Sequence, residues 1–324
     1  MIAFIAAVIF GLAILIWSAD KFVEGAAALA SLLGVSVMII GITIVGFGTS
    51  APEIVVSIIA VMQDTPDLAI GNALGSNIAN IGLILGVTAI LAPIPVAARL
   101  LKTEYPLLLL ATAIMAWALF DLELSLIDGL ALVGLLVLCM LYLIREHRAH
   151  PGDYAAEEHE HEDMVHEMKM GAAIGWVLAG LVLLVGSSKL LVWGASGIAT
   201  TLGVSDLIIG LTIVALGTSL PELAASIASL KKGSPDLAVG NVIGSNLFNS
   251  LAVIGIPALM TGFTIEESAR SRDLIVVIGL TVLLLLMSRF PGAAPRFLTR
   301  TKGIVLFLCF VIYQLYLYYE VALA

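Results

Sequence analysis

The chain is a succession of long apolar stretches separated by short polar ones. A helix needs ~20 apolar residues to cross a bilayer. Read in order, the stretches predict spans at about 2–33, 37–62, 67–92, 105–120, 125–144, 171–200, 206–230, 236–260, 273–289 and 303–321. The expected fold is all-α: a polytopic membrane protein with ten transmembrane helices. Several spans contain Gly or Pro, which membrane helices tolerate where neighbours satisfy the freed backbone groups.

The polar positions inside these spans form a pattern. Gly41 to Gly86 and Gly210 to Gly255 align without a gap at an offset of 169, with 22 of 46 positions identical. The identities are mostly Gly, Pro, Ser, Thr, Asn and Glu, residues a lipid-facing helix does not need. At the same offset Leu33-Gly34-Val35-Ser36 recurs as Leu202-Gly203-Val204-Ser205, and Gly25-Ala26 as Gly194-Ala195. Five spans precede the polar stretch 145–170 and five follow it. An odd number of helices per half turns the second half upside down in the membrane. The expected organisation is a first five-helix repeat over 1–144, an acidic, His-rich loop over 145–170, and an inverted five-helix repeat over 171–324.

Composition narrows the class. Hydrophobic residues make up 60% of the chain, against ~45–50% in soluble domains. The net charge of −9 comes mostly from residues 145–169, where eight carboxylates face three Lys or Arg. Nothing suggests nucleic-acid binding. Cys139 and Cys309 both fall in spans, so neither a disulfide frame nor a cysteine metal motif is expected. The N-terminal run lacks a basic leader and a small-residue cleavage site, so the first span is expected to be retained. Eleven of the Lys and Arg in loops lie on one side and only Arg270 and Arg272 on the other. The basic side is then cytoplasmic. This orientation puts both termini outside and the 145–170 loop inside a cell (cytoplasmic or inner) membrane.

The chemistry sits in the duplicated motif. Pro52 has no N–H, and its ring clashes with the carbonyl four residues back, at Gly48; Pro221 does the same to Gly217. A kink there frees carbonyls beside Thr49 and Thr218 to face a cation. Thr49, Ser50 and Glu53 share one helix face, as do Thr218, Ser219 and Glu222. On the following helices Asn72, Ser76 and Asn80 step by four, as do Asn241, Ser245 and Asn249. The pairs Gly71/Gly75 and Gly240/Gly244 are small-residue packing motifs. Each carboxylate costs at least ~2.5–3.5 kcal/mol at the bilayer centre, so intramembrane Glu53 and Glu222 read as functional. Two carboxylates with freed carbonyls, hydroxyls and amides make an all-oxygen shell suited to a hard cation such as calcium. The absence of Cys and His from the motif argues against zinc or copper. The plainer reading, kinks and packing alone, leaves the matched glutamates unexplained.

The paired GTS-x-PE and GN-x-x-GSN-x-x-N segments resemble the calcium/cation antiporter superfamily, and within it the prokaryotic sodium/calcium exchangers. The resemblance extends over nearly the whole chain. It implies a ten-helix fold with four core helices around a central site, and first and sixth helices that slide past the core to alternate access. It implies that Glu53 and Glu222 hold calcium with the backbone carbonyls of Thr49 and Thr218. It implies sodium sites using Ser50, Ser76, Ala215, Thr218, Ser219 and Ser245, with Asn80 and Asn249 lining the middle beside Asn72 and Asn241. Many relatives carry Asp where this chain has Asn249, so the site holds two carboxylates instead of three. That weighs against potassium co-transport and leaves sodium stoichiometry open.

The expected function is a secondary antiporter exchanging calcium for sodium. A calcium/proton or other cation/proton antiporter on the same fold is the alternative, and a passive cation channel a more distant one. An enzyme is not expected, because the glutamates lack a nucleophile, a His set or a cofactor motif. The implied partners are calcium and sodium ions and the lipid bilayer, with no cofactor and no obligatory protein partner. Asp20, Lys21 and Glu24 in the first span, and Lys189 in the sixth, read as an ion path or, more simply, as snorkelling or local pairing. The stretch Glu157 to Asp163, with its histidines, reads as a solvated linker ahead of a metal or pH sensor. Arg289 to Lys302 reads as a cytoplasmic anchor near anionic lipid.

Overall fold

The computed structural model describes residues 1–149, 168–203, 215–290 and 296–323. Among these, nine helices are long and apolar enough to cross a membrane. They are α1 (Ile2–Leu33), α2 (Val37–Met62), α3 (Pro66–Leu91), α4 (Ala98–Ala118), α5 (Leu126–Ala149), α6 (Met170–Thr201), α8 (Pro235–Met260), α9 (Ala269–Arg289) and α10 (Arg300–Leu323). The remaining helix, α7 (Leu220–Lys231), follows a short turn of helix at Ala215–Thr218. The seventh expected span, 206–230, is thus described only from residue 215 onward. The expected 145–170 loop starts late, because α5 runs on to Ala149; residues 150–167 lie outside the described residues, with the histidine-rich stretch among them.

The shared Leu-Gly-Val-Ser motif ends a helix in each half. Gly34 and Gly203 take left-handed φ of 62° and 82°, which a residue without Cβ adopts freely at a helix end. Ser36 then starts α2 by accepting the amide of Ile39 at 3.3 Å.

The two halves run in opposite directions. Along α1 and α6, Gly11 lies against Leu191, Phe22 against Gly180, Gly25 against Trp176, and Phe4 against Gly194. Numbers rise on one helix as they fall on the other. These are equivalent helices of the repeat, so the repeat is inverted. In lipid, apolar contact gives helices no drive to associate, and close backbone approach at small residues supplies it instead.

Two large side-chain clusters result, beside a small one of Ala60, Val61 and Ala69. The larger joins α2, α3, α4, α5, α8, α9 and α10; the smaller joins α1 and α6 with the near faces of α2 and α7. Helix α8 is the axis of the larger one, with every residue from Leu237 to Phe248 buried. Helices α1 and α6 turn Ile9, Phe10, Ile16, Leu178 and Val182 outward, as a lipid-facing pair does. Two antiparallel strand pairs staple the halves at opposite ends of α4: Ile94–Val96 with Arg296–Leu298, and Glu123–Leu124 with Phe263–Thr264.

The charges of α1 are locally paired. Lys21 bonds to Glu24 at 2.8 Å and lies 5.5 Å from the Trp176 ring, while Lys232 reaches Asp20 at 3.1 Å.

Candidate functional site

The duplicated segments meet in the interior. Each half contributes a hairpin, α2–α3 or α7–α8, and each hairpin is locked the same way. The Asn72 amide donates to the Glu53 carbonyl and the Ser57 hydroxyl, both at 3.2 Å. The Asn241 amide donates to the Glu222 carbonyl at 3.3 Å and the Ser226 hydroxyl at 3.2 Å. Both amide protons are used, so each asparagine fixes its glutamate backbone against the next helix. Ser57 and Ser226 had no role from sequence, although they are an identical pair at the 169 offset.

Helix α2 crosses α8 where glycines remove the side chains between them. A Cβ on Gly46 would lie 2.9 Å from Gly244 Cα, and one on Gly240 would lie 2.7 Å from the Met38 carbonyl. Gly244 is packed on the backbone of Ile42. Gly71 and Gly75 have nothing within 4 Å of such a Cβ among the described residues. Among the described residues the small-residue motif therefore joins helices in the second half, and no such contact is made by Gly71 or Gly75.

This crossing brings polar groups of opposite halves together. The Thr49 hydroxyl lies 3.2 Å from Asn241 Oδ1 and 3.3 Å from Ser245 Oγ, besides 3.1 Å from the Val45 carbonyl of its own helix. Glu53 and Glu222 are 2% and 3% exposed. They are close enough for their charges to act on one another. Antiparallel α3 and α8 join beneath them: Asn80 donates to Asn246 Oδ1 at 3.0 Å, and Asn77 to Ser250 Oγ at 2.9 Å. Asn77 and Asn246, another identical pair without an assigned role, thus carry the seam between repeats.

Among the described residues several buried oxygens in this cluster have no donor: Ser50 Oγ, one oxygen each of Glu53 and Glu222, and Oδ1 of Asn77 and Asn249. A buried acceptor left unpaired costs ~1–3 kcal/mol. A cation offsets that for several of them at once. Among the described residues no cluster of three or more His, Cys, Asp or Glu exists. Among the described residues the buried carboxylates of this cluster are those of Glu53 and Glu222, and the other oxygens are neutral. Ser76 and Ser219 are also buried nearby in sequence. Ala215 opens the short helix that ends at Thr218.

The halves differ at their prolines. A kink was expected at both, yet α2 stays helical through Pro52, and its irregularity is a π-helical turn upstream at Gly41–Val45. In the second half the helix breaks at Ser219, where φ is −90° and ψ 3°. Ser188 of α6 takes the carbonyl of Gly217 there, at 2.6 Å. Thr49 is buried, whereas Thr218 is exposed. A cavity of about 810 Å³ lies between α2, α6 and the start of α7, with Glu53, Asn72, Lys189, Gly217 and Thr218 in its wall.

The comparisons with known proteins fit this geometry. One family model, "Sodium/calcium exchanger protein", matches twice, over residues 3–145 and 172–319. CaxA of Alkalimonas amylolytica is 46% identical over 96% of this chain and 97% of its own. The inner membrane protein YrbG of Escherichia coli (strain K12) is 37% identical over 97% and 96%. The solved sodium-calcium exchanger NCX_Mj, soaked with sodium and calcium, superposes with a TM-score of 0.81 at 31% identity, over 96% of this chain and 97% of its own. With the same model met in each half and the fold shared along nearly the full length, the chain belongs to the sodium/calcium exchanger family, within the calcium/cation antiporter superfamily.

Proposed function

We propose that the chain exchanges calcium for sodium across the cytoplasmic membrane by alternating access. The observation that carries this is the meeting of Glu53 and Glu222, from oppositely inserted halves, among buried oxygens that lack donors among the described residues. Two close carboxylates in a low-dielectric interior repel and demand positive charge. One calcium ion neutralises both, and so do sodium ions on the flanking oxygens. The two loads exclude each other, which is the basis of antiport.

In this reading calcium takes Glu53, Glu222 and the carbonyls of Thr49 and Thr218. Sodium takes Ser50, Ser76, Ala215, Thr218, Ser219 and Ser245. Helices α1 and α6 move as a pair over the core, in keeping with their separate cluster of side chains. The relative YrbG is named an inner membrane protein, and the same placement is proposed here, with both termini outside. The cavity then opens toward the outer half, since its α2 residues run from Gly48 to Ile59, toward the end of that helix.

A proton-coupled cycle is the second reading. It is favoured by Asn at both 80 and 249, which leaves only two carboxylates to balance charge. Calcium flux into proteoliposomes separates the two. Flux that requires sodium on the opposite side supports exchange with sodium. Flux driven by a pH step without sodium replaces it with proton exchange, and flux indifferent to both gradients overturns antiport altogether.

A further inference from the structure

Helix α6 carries one ionisable side chain between Met170 and Thr201, that of Lys189. At the 169 offset its counterpart is Asp20, so the two repeats place opposite charges at one position. Asp20 is balanced by Lys232. Lys189 is in no ion pair with the carboxylates of the described residues. It stands 12 residues before the end of α6, about 18 Å along the helix.

Its surroundings include part of the candidate ion site. Lys189 shares the wall of one cavity with Glu53, Gly217 and Thr218. Its neighbour Ser188 is bonded to the Gly217 carbonyl at 2.6 Å, which fixes the register of α6 against the start of α7. The ammonium stands in the wall of the same cavity as Glu53, so its charge acts on an ion that approaches Glu53 through it.

We propose that Lys189 is a specificity-determining residue: a fixed positive charge in the access cavity that sets the relative binding of divalent and monovalent cations. The proposal rests on the sodium/calcium reading of the site. Its physics is the product of charges in Coulomb's law. A fixed charge raises the free energy of a divalent ion twice as much as that of a monovalent one. Removing it therefore shifts the logarithm of the calcium constant by twice the sodium shift per ion. A packing role has no reason to produce that ratio.

The test is equilibrium binding of radioactive calcium to the purified full chain, with sodium measured by competition, for the unaltered protein and for Lys189→Gln, Lys189→Met and Lys189→Arg. The Gln and Met variants should tighten calcium about tenfold and sodium about threefold per ion, and the Arg variant should stay near the unaltered values. Equal shifts for both ions, no shift in either, or an Arg variant that behaves like Gln would overturn the proposal. Failure of the underlying reading looks different: the unaltered protein would then bind no calcium, and both ideas fall. If calcium binds but only protons compete, the sodium reading fails, and the same two-to-one ratio is required of calcium against protons.

Discussion

Ser188 donates a 2.6 Å hydrogen bond to the carbonyl of Gly217, from the helix paired with α1 to the broken start of α7. Gly217 is the residue four before Pro221, so its carbonyl has no amide to accept within its own helix. The first half has no equivalent bond to offer, because the counterpart of Ser188 is Ala19. One hydroxyl thus ties the outer pair of helices to the core beside the site, in one repeat only.

Replacing Ser188 with Ala should remove that tie. The expected cost is about 1 kcal/mol of stability, read as a small drop in thermal midpoint. The maximal exchange rate should change while the apparent calcium affinity stays within about twofold, because Ser188 is not a proposed ligand. Flux against calcium concentration separates rate from affinity, and a large affinity loss would place Ser188 in the ion site itself.

Glu53→Gln and Glu222→Gln test the site directly. Each keeps the shape of the side chain and removes half of the negative charge. Calcium uptake should fall to background in both, with the protein still folded and monodisperse. Near-normal uptake in either variant would contradict the assignment of that carboxylate.

The hairpin locks should be equal in the two repeats. Asn72→Ala and Asn241→Ala each leave a glutamate carbonyl and a serine hydroxyl without their donor. A loss of about 1–3 kcal/mol is expected from each, seen as lower thermal midpoints of similar size. Asn241→Ala should also disturb Thr49, which lies 3.2 Å from Asn241 Oδ1.

The glycines should not be equal. Gly75→Ala meets nothing within 4 Å among the described residues, while Gly244→Ala drives a methyl into the backbone of Ile42. The first variant should fold and transport normally. The second should express poorly or unfold early, since helix backbones give way less easily than side chains. Expression level and thermal midpoint of the pair decide this, and a harmless Gly244→Ala would refute the packing described for α2 and α8.

Much of this was written in the chain. Apolar length fixed the approximate bounds of the nine spans found among the described residues, because crossing lipid demands ~20 residues whatever the partners. The 169 offset and an odd helix count carried the inversion. The matched glutamates were legible because a buried charge in a membrane needs a reason. The roles of Ser57, Ser226, Asn77 and Asn246 were not, although their identity across the repeat was visible. A serine or asparagine has many local partners, and which one it takes depends on the helix that happens to face it.

The amino-acid sequence alone determined what each half is made of: apolar helices, an acidic side chain next to a proline, and small residues at fixed steps. Local preferences and the cost of polar groups in lipid suffice for that. Only the tertiary structure decided how two nearly identical halves differ. Among the described residues Gly244 touches a neighbour and Gly75 does not, the helix breaks near Pro221 and continues through Pro52, and Ser188 finds a carbonyl where Ala19 has none to seek. These outcomes depend on contacts between segments far apart in the chain. Two copies of one motif share their local chemistry, but they do not share the same neighbours.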